Sequence, residues 1–458
     1  MRRASHLLTA ALALAAALTA HGQIVMDGKL GAAGALSGPA FQITSDLGRQ
    51  MGANLFHSFS QFNLSQGQSA TFSGPANVQN ILARVTGGSA SSIDGTLRST
   101  ITGANLFLLN PNGILFGPNA TLDVSGSFVA STADYFKLAD GGRFDARNPD
   151  NSVLTAAPVE KFGFLGTATS GIQVQGSRLA VGSGKTLGLV AGEITIVGGQ
   201  LIAPSGAVYL AGKAAEGEIA LAPDFTSAVP ALTDGSIAIL SGSSITVEGL
   251  SAGSIGIQAG AILVDASTLS VRAEAAQPTT ARPGSGLGIL AGVLGMANGS
   301  SAISSSAGQA DGGGVTVLAT GVAINGYGSP TTLGSEVAVG GSARGGAVQI
   351  TADTVELYYG GRINSVTRGT GAGGSITVNA SIALADMIGP FYTQTGFYAQ
   401  GEATGPAGNI TLTLGPGSLV FDPGTLILRR GAEISSVSSG GGATGNLTVE
   451  ASGVLLDG

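Results

Sequence analysis

The feature that most limits what this chain can fold into is a short unit that keeps returning. It is a glycine, one residue, then apolar residues alternating with small or polar ones. It reads Gly192-Glu-Ile-Thr-Ile196, Gly217-Glu-Ile-Ala-Leu221, Gly235-Ser-Ile-Ala-Ile239 and Gly253-Ser-Ile-Gly-Ile257. It returns as Gly313-Gly-Val-Thr-Val317, Gly346-Ala-Val-Gln-Ile350, Gly374-Ser-Ile-Thr-Val378, Gly408-Asn-Ile-Thr-Leu412 and Gly445-Asn-Leu-Thr-Val449. Period-two alternation bounded by turn residues predicts short strands. Helical periodicity does not persist beyond the first 22 residues.

The leading glycines are 25, 18 and 18 residues apart in the first group, and 33, 28, 34 and 37 apart in the second. Three short strands and three corners need on the order of 20 residues. The first group therefore fits one coil per repeat. The second fits one coil plus a loop, or two short coils. One coil cannot bury its apolar row, but stacked coils bury a continuous one. The expected fold is thus all-β, a parallel β-helix, with a β-sandwich as the alternative. Ile194, Ile196, Ile376 and Val378 should point inward, and Thr195, Gln349 and Thr377 outward. Glycine's freedom to take positive φ at corners accounts for 76 glycines in 458 residues, and a narrow interior for only 5% aromatics.

The N-terminus reads as an address. Met1-Arg2-Arg3 precedes an almost wholly Ala and Leu run from Leu7 to Ala20, too short for a comfortable span. It fits a signal peptide, residues 1-22, cleaved between Gly22 and Gln23 after Ala20-His21-Gly22. Cleavage removes Arg2, Arg3, His6 and His21, leaving 18 basic against 27 acidic residues and His57 alone. Export with no cysteine suits a chain that crosses the periplasm and then an outer membrane unfolded. Leu287 to Ala297 is apolar but broken by Gly288, Gly292 and Gly295, so no membrane span is expected there. The scattered Lys and Arg argue against nucleic acid.

Residues 23-165 are richer in Asn and Phe. They contain Gln23-Ile-Val-Met-Asp27, Gly52-Ala-Asn-Leu-Phe-His-Ser-Phe59, Asn80-Ile-Leu-Ala-Arg-Val-Thr-Gly-Gly88 and Ile93-Asp-Gly95. The run Gly103-Ala-Asn-Leu-Phe-Leu-Leu-Asn-Pro-Asn-Gly-Ile-Leu-Phe-Gly117 follows, then Ser125-Gly-Ser-Phe-Val-Ala-Ser-Thr132. This block resembles the N-terminal secretion domain of two-partner secretion exoproteins of the filamentous haemagglutinin type. The resemblance implies a right-handed β-helix with an N-terminal cap and extra-helical strands. It also implies an outer-membrane barrel transporter whose POTRA domains recognise the block, reached through the Sec machinery. One departure is that Ala76-Asn-Val-Gln-Asn-Ile81 lacks a second Asn-Pro-Asn motif.

The stretch Asn110, Pro111, Asn112, Gly113, Ile114 is the candidate secretion motif. Physically it is a turn: Pro presets φ, while Asn and Gly tolerate the left-handed region. It either folds a corner or is read directly by the transporter. After residue 165 the chain divides into β-helix at 166-272, a Gly/Ala/Ser-rich loop or linker at 273-312, and repeats at 313-458. Val454-Leu-Leu456 has no polar cap after it, so the chain is expected to be part of a longer protein.

Apparent chemical motifs fail. Gly182-Ser-Gly-Lys-Thr186 lacks the phosphate loop's first glycine, Leu179 standing there. Gly249-Leu-Ser-Ala-Gly253 matches a nucleophile elbow, but no His follows it. His57 alone makes no metal site, so no metal, cofactor or catalytic residue is expected. Asp134, Asp140, Asp145 and Asp150, with Arg143 and Arg147, are spaced as a solvated loop. A non-enzymatic surface structural or adhesive protein is expected, secreted or held at the bacterial cell surface, with host or neighbour-cell glycans as candidate contacts. An extracellular polysaccharide-active enzyme is the alternative. A toxin carrier of the same secretion class would need an effector, whereas Ala451 to Gly458 continue the repeat.

Overall fold

A computed structural model describes residues 23–166, 170–222, 234–277, 285–327, 329–387, 394–415 and 424–458. The signal segment, Gly22 included, lies outside the described residues. The chain is a right-handed parallel β-helix, and the described residues hold only two short 3-10 turns, Ser45–Leu47 and Pro149–Asn151, besides strands.

Each coil lays strands in three stacked columns. The first column begins with Asn54–Phe62, Asn80–Val85, Asn105–Leu109, Phe128–Ser131, Thr186–Ala191 and Ala207–Gly212. The second begins with Ser91–Ile93, Ile114–Phe116, Gly171–Gln175, Glu193–Val197 and Ser236–Leu240. Three middle coils merge these two columns into the 12-residue strands Ser254–Asp265, Gly286–Ala297 and Gly314–Asn325. The third column holds Ala40–Ile43 to Thr121–Asp123, then Arg178–Ala180 to Glu433–Ser438.

Register explains the inward pattern. Leu189, Leu210, Ile257, Ile289, Val317, Ile350, Val378 and Leu412 stand one above another in the first column and are all fully buried. Each such side chain contributes roughly 1.5–3 kcal/mol of apolar transfer. Ile194, Ile196, Ile376 and Val378 point inward as expected, and Gln349 is exposed.

The structure corrects several expectations. Gly217–Ile219 is not a coil strand but pairs antiparallel with Val159–Phe164 outside the β-helix. The 18-residue spacing is not a coil either. Ser236–Leu240 stacks on Glu193–Val197 in the second column, whereas Ser254 begins a first-column rung on Ala207. The same local pattern serves two columns, so spacing alone misassigns it. The second group is one coil per repeat, since Val315, Val348, Ile376, Ile410 and Leu447 align in register.

Residues 273–312 are not simply a loop. Gly286–Ala297 and Ser301–Ser306 are strands in full register with both neighbouring coils. Ser301–Ser306 buries only small side chains such as Ala302, Ser304 and Ser306, while in Gly286–Ala297 the buried Leu287, Ile289, Leu294 and Met296 alternate with glycine or other apolar residues rather than polar ones, which hides both strands from a pattern reading. The Pro- and Thr-rich part of the expected linker, residues 278–284, lies outside the described residues.

Glycine also serves a different purpose at the repeat corners. The leading glycines of the second group do not need positive φ. A Cβ on Gly346, Gly374, Gly408 or Gly445 would lie 1.8, 1.9, 1.9 and 2.0 Å from the carbonyl oxygen of Gly313, Gly346, Gly374 and Gly408 respectively. These glycines stack backbone on backbone at one corner, where no side chain fits.

At the N-terminal end, Ile24–Asp27 runs antiparallel to Ala33–Ala35 and to Asn54–Phe62, and Arg49–Met51 folds back on Asn54. These strands cover the open edge of the first coil. Outside the first column, Tyr135–Leu138, Arg143–Asp145, Val159–Phe164 and Gly217–Ile219 form a separate antiparallel sheet. A boundary at residue 165 therefore cuts through this sheet. At the other end, the last coil leaves Leu447, Val449, Val454 and Leu456 exposed.

Candidate functional site

The extra-helical sheet sits on an apolar outer face. In most of the first column, outward residues are small or polar. In its first four coils they are Phe56, Leu82, Phe107 and Val129, aligned in register. Phe136, Leu138, Phe144, Phe162, Phe164 and Ile219 pack over Phe56, Leu82 and Val129 in a second core, distinct from the β-helix interior. Phe56 meets Phe144 edge to face at 5.0 Å, and Phe107 meets Phe136 at 5.9 Å.

Arg84 ties the pieces together. It is 1% exposed, on the outer face of the second coil. Its Nε donates to Ser58 Oγ at 2.8 Å, and its Nη1 donates to the Asp145 carbonyl and to Ser152 Oγ, both at 2.6 Å. The guanidinium lies 4.5 Å from the Phe144 ring centre. Ser58 in turn donates to Asp27 Oδ2 at 2.5 Å, and Thr86 donates to the same oxygen at 2.7 Å. Cap, first coils and extra-helical sheet thus share one buried network. Burial pushes the Arg84 pKa down to about 10, opposed by Asp27, Asp145 and Asp150.

An asparagine ladder runs beside it. Asn54 Nδ2 donates to the carbonyls of Thr155 and Ala157 at 3.0 and 2.7 Å. Asn80 donates to Asn54, and Asn105 to Asn80, each at 2.9 Å. The Ser127 amide closes the ladder on Asn105 Oδ1 at 2.9 Å. The sequence carried a signal here, the repeated Ala-Asn-Leu-Phe at 53–56 and 104–107. Only register reveals that these asparagines touch. Arg84 had no signal beyond being a lone charge inside an apolar strand.

The Asn110–Ile114 stretch forms the corner between the first and second columns. Asn110 is fully buried, and its Nδ2 donates to the Ser89 carbonyl and Ser91 Oγ at 3.1 and 3.0 Å. Its Oδ1 accepts the Asn112 amide at 3.0 Å, and its carbonyl accepts the Gly113 amide at 3.1 Å. Asn112 Nδ2 reaches the Gly87 carbonyl at 2.5 Å. Gly113 has φ +116°, which a side chain would strain. Ile114 is inward and 2% exposed. Both asparagine side chains are spent on the corner of the preceding coil. Gln23 lies exposed at the start of the described chain.

The acidic stretch is not a solvated loop throughout. Asp134 and Asp145 are buried in the extra-helical sheet. Asp134 accepts from Arg147 Nε at 3.0 Å and the Leu165 amide at 2.6 Å. Asp145 accepts from Arg143 at 2.7 Å and the Asn148 amide at 2.6 Å. Chain folding brings the arginines onto these carboxylates, which linear spacing does not show. Asp150 is exposed and pairs with Lys29 at 2.8 Å.

His57 is fully buried in the inward row, above Ala83 and beside Phe59 and Phe72. Burial pushes its pKa down to about 4, with the nearby Leu47 backbone and Asp46 opposing more weakly. Neither ring nitrogen reaches full hydrogen-bond geometry. Among the described residues no group of three His, Cys, Asp or Glu is placed to hold a metal ion. Gly182–Thr186 and Gly249–Gly253 are corners between the third and first columns.

The family model described as the TPS secretion domain matches residues 22–264. Among solved structures, the chain is similar to the HMW1 secretion domain from Haemophilus influenzae. The TM-score is 0.53 at 17% identity, covering 96% of this chain and 98% of that one, which is a likeness of fold. The filamentous hemagglutinin secretion domain aligns with TM-score 0.22 and 14% identity over 95% of this chain and 97% of that one. No match was found among curated proteins.

Proposed function

The chain belongs to the TPS secretion domain family, whose members are secreted by the two-partner pathway, and from that premise we propose how its N-terminal half works. Residues 1-22 take it to the Sec machinery, with cleavage between Gly22 and Gln23. Residues 23 to about 264 then address it to a partner outer-membrane barrel through POTRA domains. The repeats beyond form an exposed adhesive or structural shaft. The family match over residues 22–264 is the observation that carries this reading.

The physical logic supports N-terminus-first export. A chain with no cysteine has no disulfide to lock it before it crosses the membrane. Each finished coil offers an unpaired strand edge to the next, so folding propagates as residues emerge. The Arg84 network stabilises the first coils, because cap and sheet close on them together. The Asn110–Ile114 corner fits a folding role, since its polar side chains are turned onto the preceding coil. An enzymatic role finds no support in Asp134 and Asp145, whose oxygens are already taken by Arg147, Arg143 and backbone amides.

The test is co-expression with and without the partner transporter, measuring the exported fraction. Secretion indifferent to the transporter refutes the pathway. Binding of unfolded peptides spanning 105–117 to isolated POTRA domains separates the two roles of the Asn-Pro-Asn-Gly turn. Unchanged binding after Asn110→Ala leaves it a folding corner.

A further inference from the structure

Gly217-Glu-Ile-Ala-Leu221 carries the repeat pattern yet leaves the β-helix, and the excursion is closed at its base. The first column stops at Gly212 and the second resumes at Ser236. Asp234 Oδ1 accepts the Ala214 amide at 2.7 Å, and its Oδ2 lies 3.2 Å from Lys213 Nζ. The two ends of the excursion therefore meet. Ala207–Gly212 and Ser236–Leu240 keep their places on Thr186–Ala191 and Glu193–Val197, in pairings that do not involve residues 217–221.

Two sets of contacts hold that segment down. Val159–Phe164 pairs with Tyr135–Leu138 on one edge and, among the described residues, with Gly217–Ile219 alone on the other. Ile219 enters the second core, and Glu218 accepts from the Tyr135 hydroxyl at 3.0 Å and from Lys137 Nζ at 2.8 Å. The second set comes from later in the chain. Gln258 is 5% exposed and donates Nε2 to the carbonyls of Ala220 at 2.8 Å and Leu221 at 3.3 Å. Its row on the outer face of the first column reads Val190, Ala211, Gln258, Leu290, Leu318, so Gln258 is the one polar side chain among apolar ones. The Leu221 side chain lies over Gly188, where an added Cβ would come within 2.8 Å of it.

We propose that residues 217–221 are a latch on the extra-helical sheet and that Gln258 is its catch. The sheet's last edge, along Val159–Phe164, stays open to pairing until the latch covers it. The latch is held only once the coil carrying Gln258 has formed. Sheet and β-helix then make one unit that runs to Gln258, close to residue 264, where the family match ends. Because the excursion is closed at its base, losing the catch frees the sheet edge and leaves the coils wound. For a chain exported N-terminus first, as proposed above, the latch closes after residue 258 has emerged; the latch itself does not depend on that reading.

The test is hydrogen–deuterium exchange, read by mass spectrometry, on the purified full chain and on Gln258→Leu. Leucine is what the next two rungs carry in this row, so the variant keeps the outer face packed and loses only the donor. Exchange in peptides covering 159–164 and 217–221 should be at least about tenfold faster, the effect expected of two lost hydrogen bonds. Peptides from 186–191 and 286–297 should stay protected as in the wild type, which also checks that the variant folds. Ile219→Ala, from the latch side, should give the same local pattern. In wild-type refolding with pulse labelling, protection of 217–221 should appear no earlier than that of 254–265. The proposal is overturned if Gln258→Leu exchanges as the wild type does in both outer peptides, or if the β-helix peptides accelerate equally. Protection of 217–221 before 254–265 also overturns it. None of these results bears on the secretion pathway, which is tested in cells.

Discussion

Asn80 donates its side-chain amide to Asn54 Oδ1 at 2.9 Å, across two neighbouring coils. The same residue accepts from Asn105 on its other side, so one side chain joins three coils. Replacing Asn80 with Ala leaves Asn54 Oδ1 and Asn105 Nδ2 without their partner. Each unsatisfied group costs roughly 1–3 kcal/mol, so a loss of about 2–4 kcal/mol is expected. Urea unfolding at unchanged slope measures it. A loss below about 1 kcal/mol contradicts a cooperative ladder.

Arg84→Met should free the extra-helical sheet from the first coils. Ser58, Ser152 and the Asp145 carbonyl lose a shared donor, at a cost of about 3 kcal/mol. Arg84→Lys should not rescue it, because an ammonium lacks the planar fork that meets Ser58 and Asp145 together. Limited proteolysis reads the result. Faster nicking between 139 and 158 is expected in both variants, and wild-type protection in Arg84→Lys counts against the shared-donor role.

His57 makes stability depend on pH. Its pKa is about 4 folded against 6.5 unfolded, so between these values the unfolded chain binds more protons. Its contribution is complete above about pH 6.5 and is lost as pH falls towards 4. At 1.36 kcal/mol per pH unit, that loss is about 3 kcal/mol. Unfolding of His57→Leu against wild type isolates the slope from the carboxylates. Parallel stability curves from pH 7 to 4 rule this out.

Gly374→Ala tests the stacked corner. Its Cβ would sit 1.9 Å from the Gly346 carbonyl oxygen, so backbone must move. A loss of about 3 kcal/mol is expected. Gly88 is exposed and has nothing within 4 Å of an added Cβ, so Gly88→Ala should stay within about 0.5 kcal/mol. Equal melting shifts for the two would remove close approach as the reason for the glycines.

Much of the solenoid was legible because its inward rows alternate with solvent. Ile194, Ile196, Ile376 and Val378 betray their direction within a few residues. The secretion block was legible in its Asn- and Phe-rich motifs. The site was less so. Leu55-Phe56-His57-Ser58-Phe59 is buried on both faces, so it has no alternation to say that Phe56 and Ser58 point outward.

The chain by itself therefore determined that it would be short strands wound around small aliphatic side chains, because period-two patterning is local. Tertiary structure decided which identical-looking units share a column, since register depends on partners far apart in the chain. It sent Gly217–Ile219 to the extra-helical sheet and the strand after Gly235 into the second column. It also brought Arg84 to Asp145 and stacked Asn54, Asn80 and Asn105, contacts that exist only once separate coils lie one rung apart.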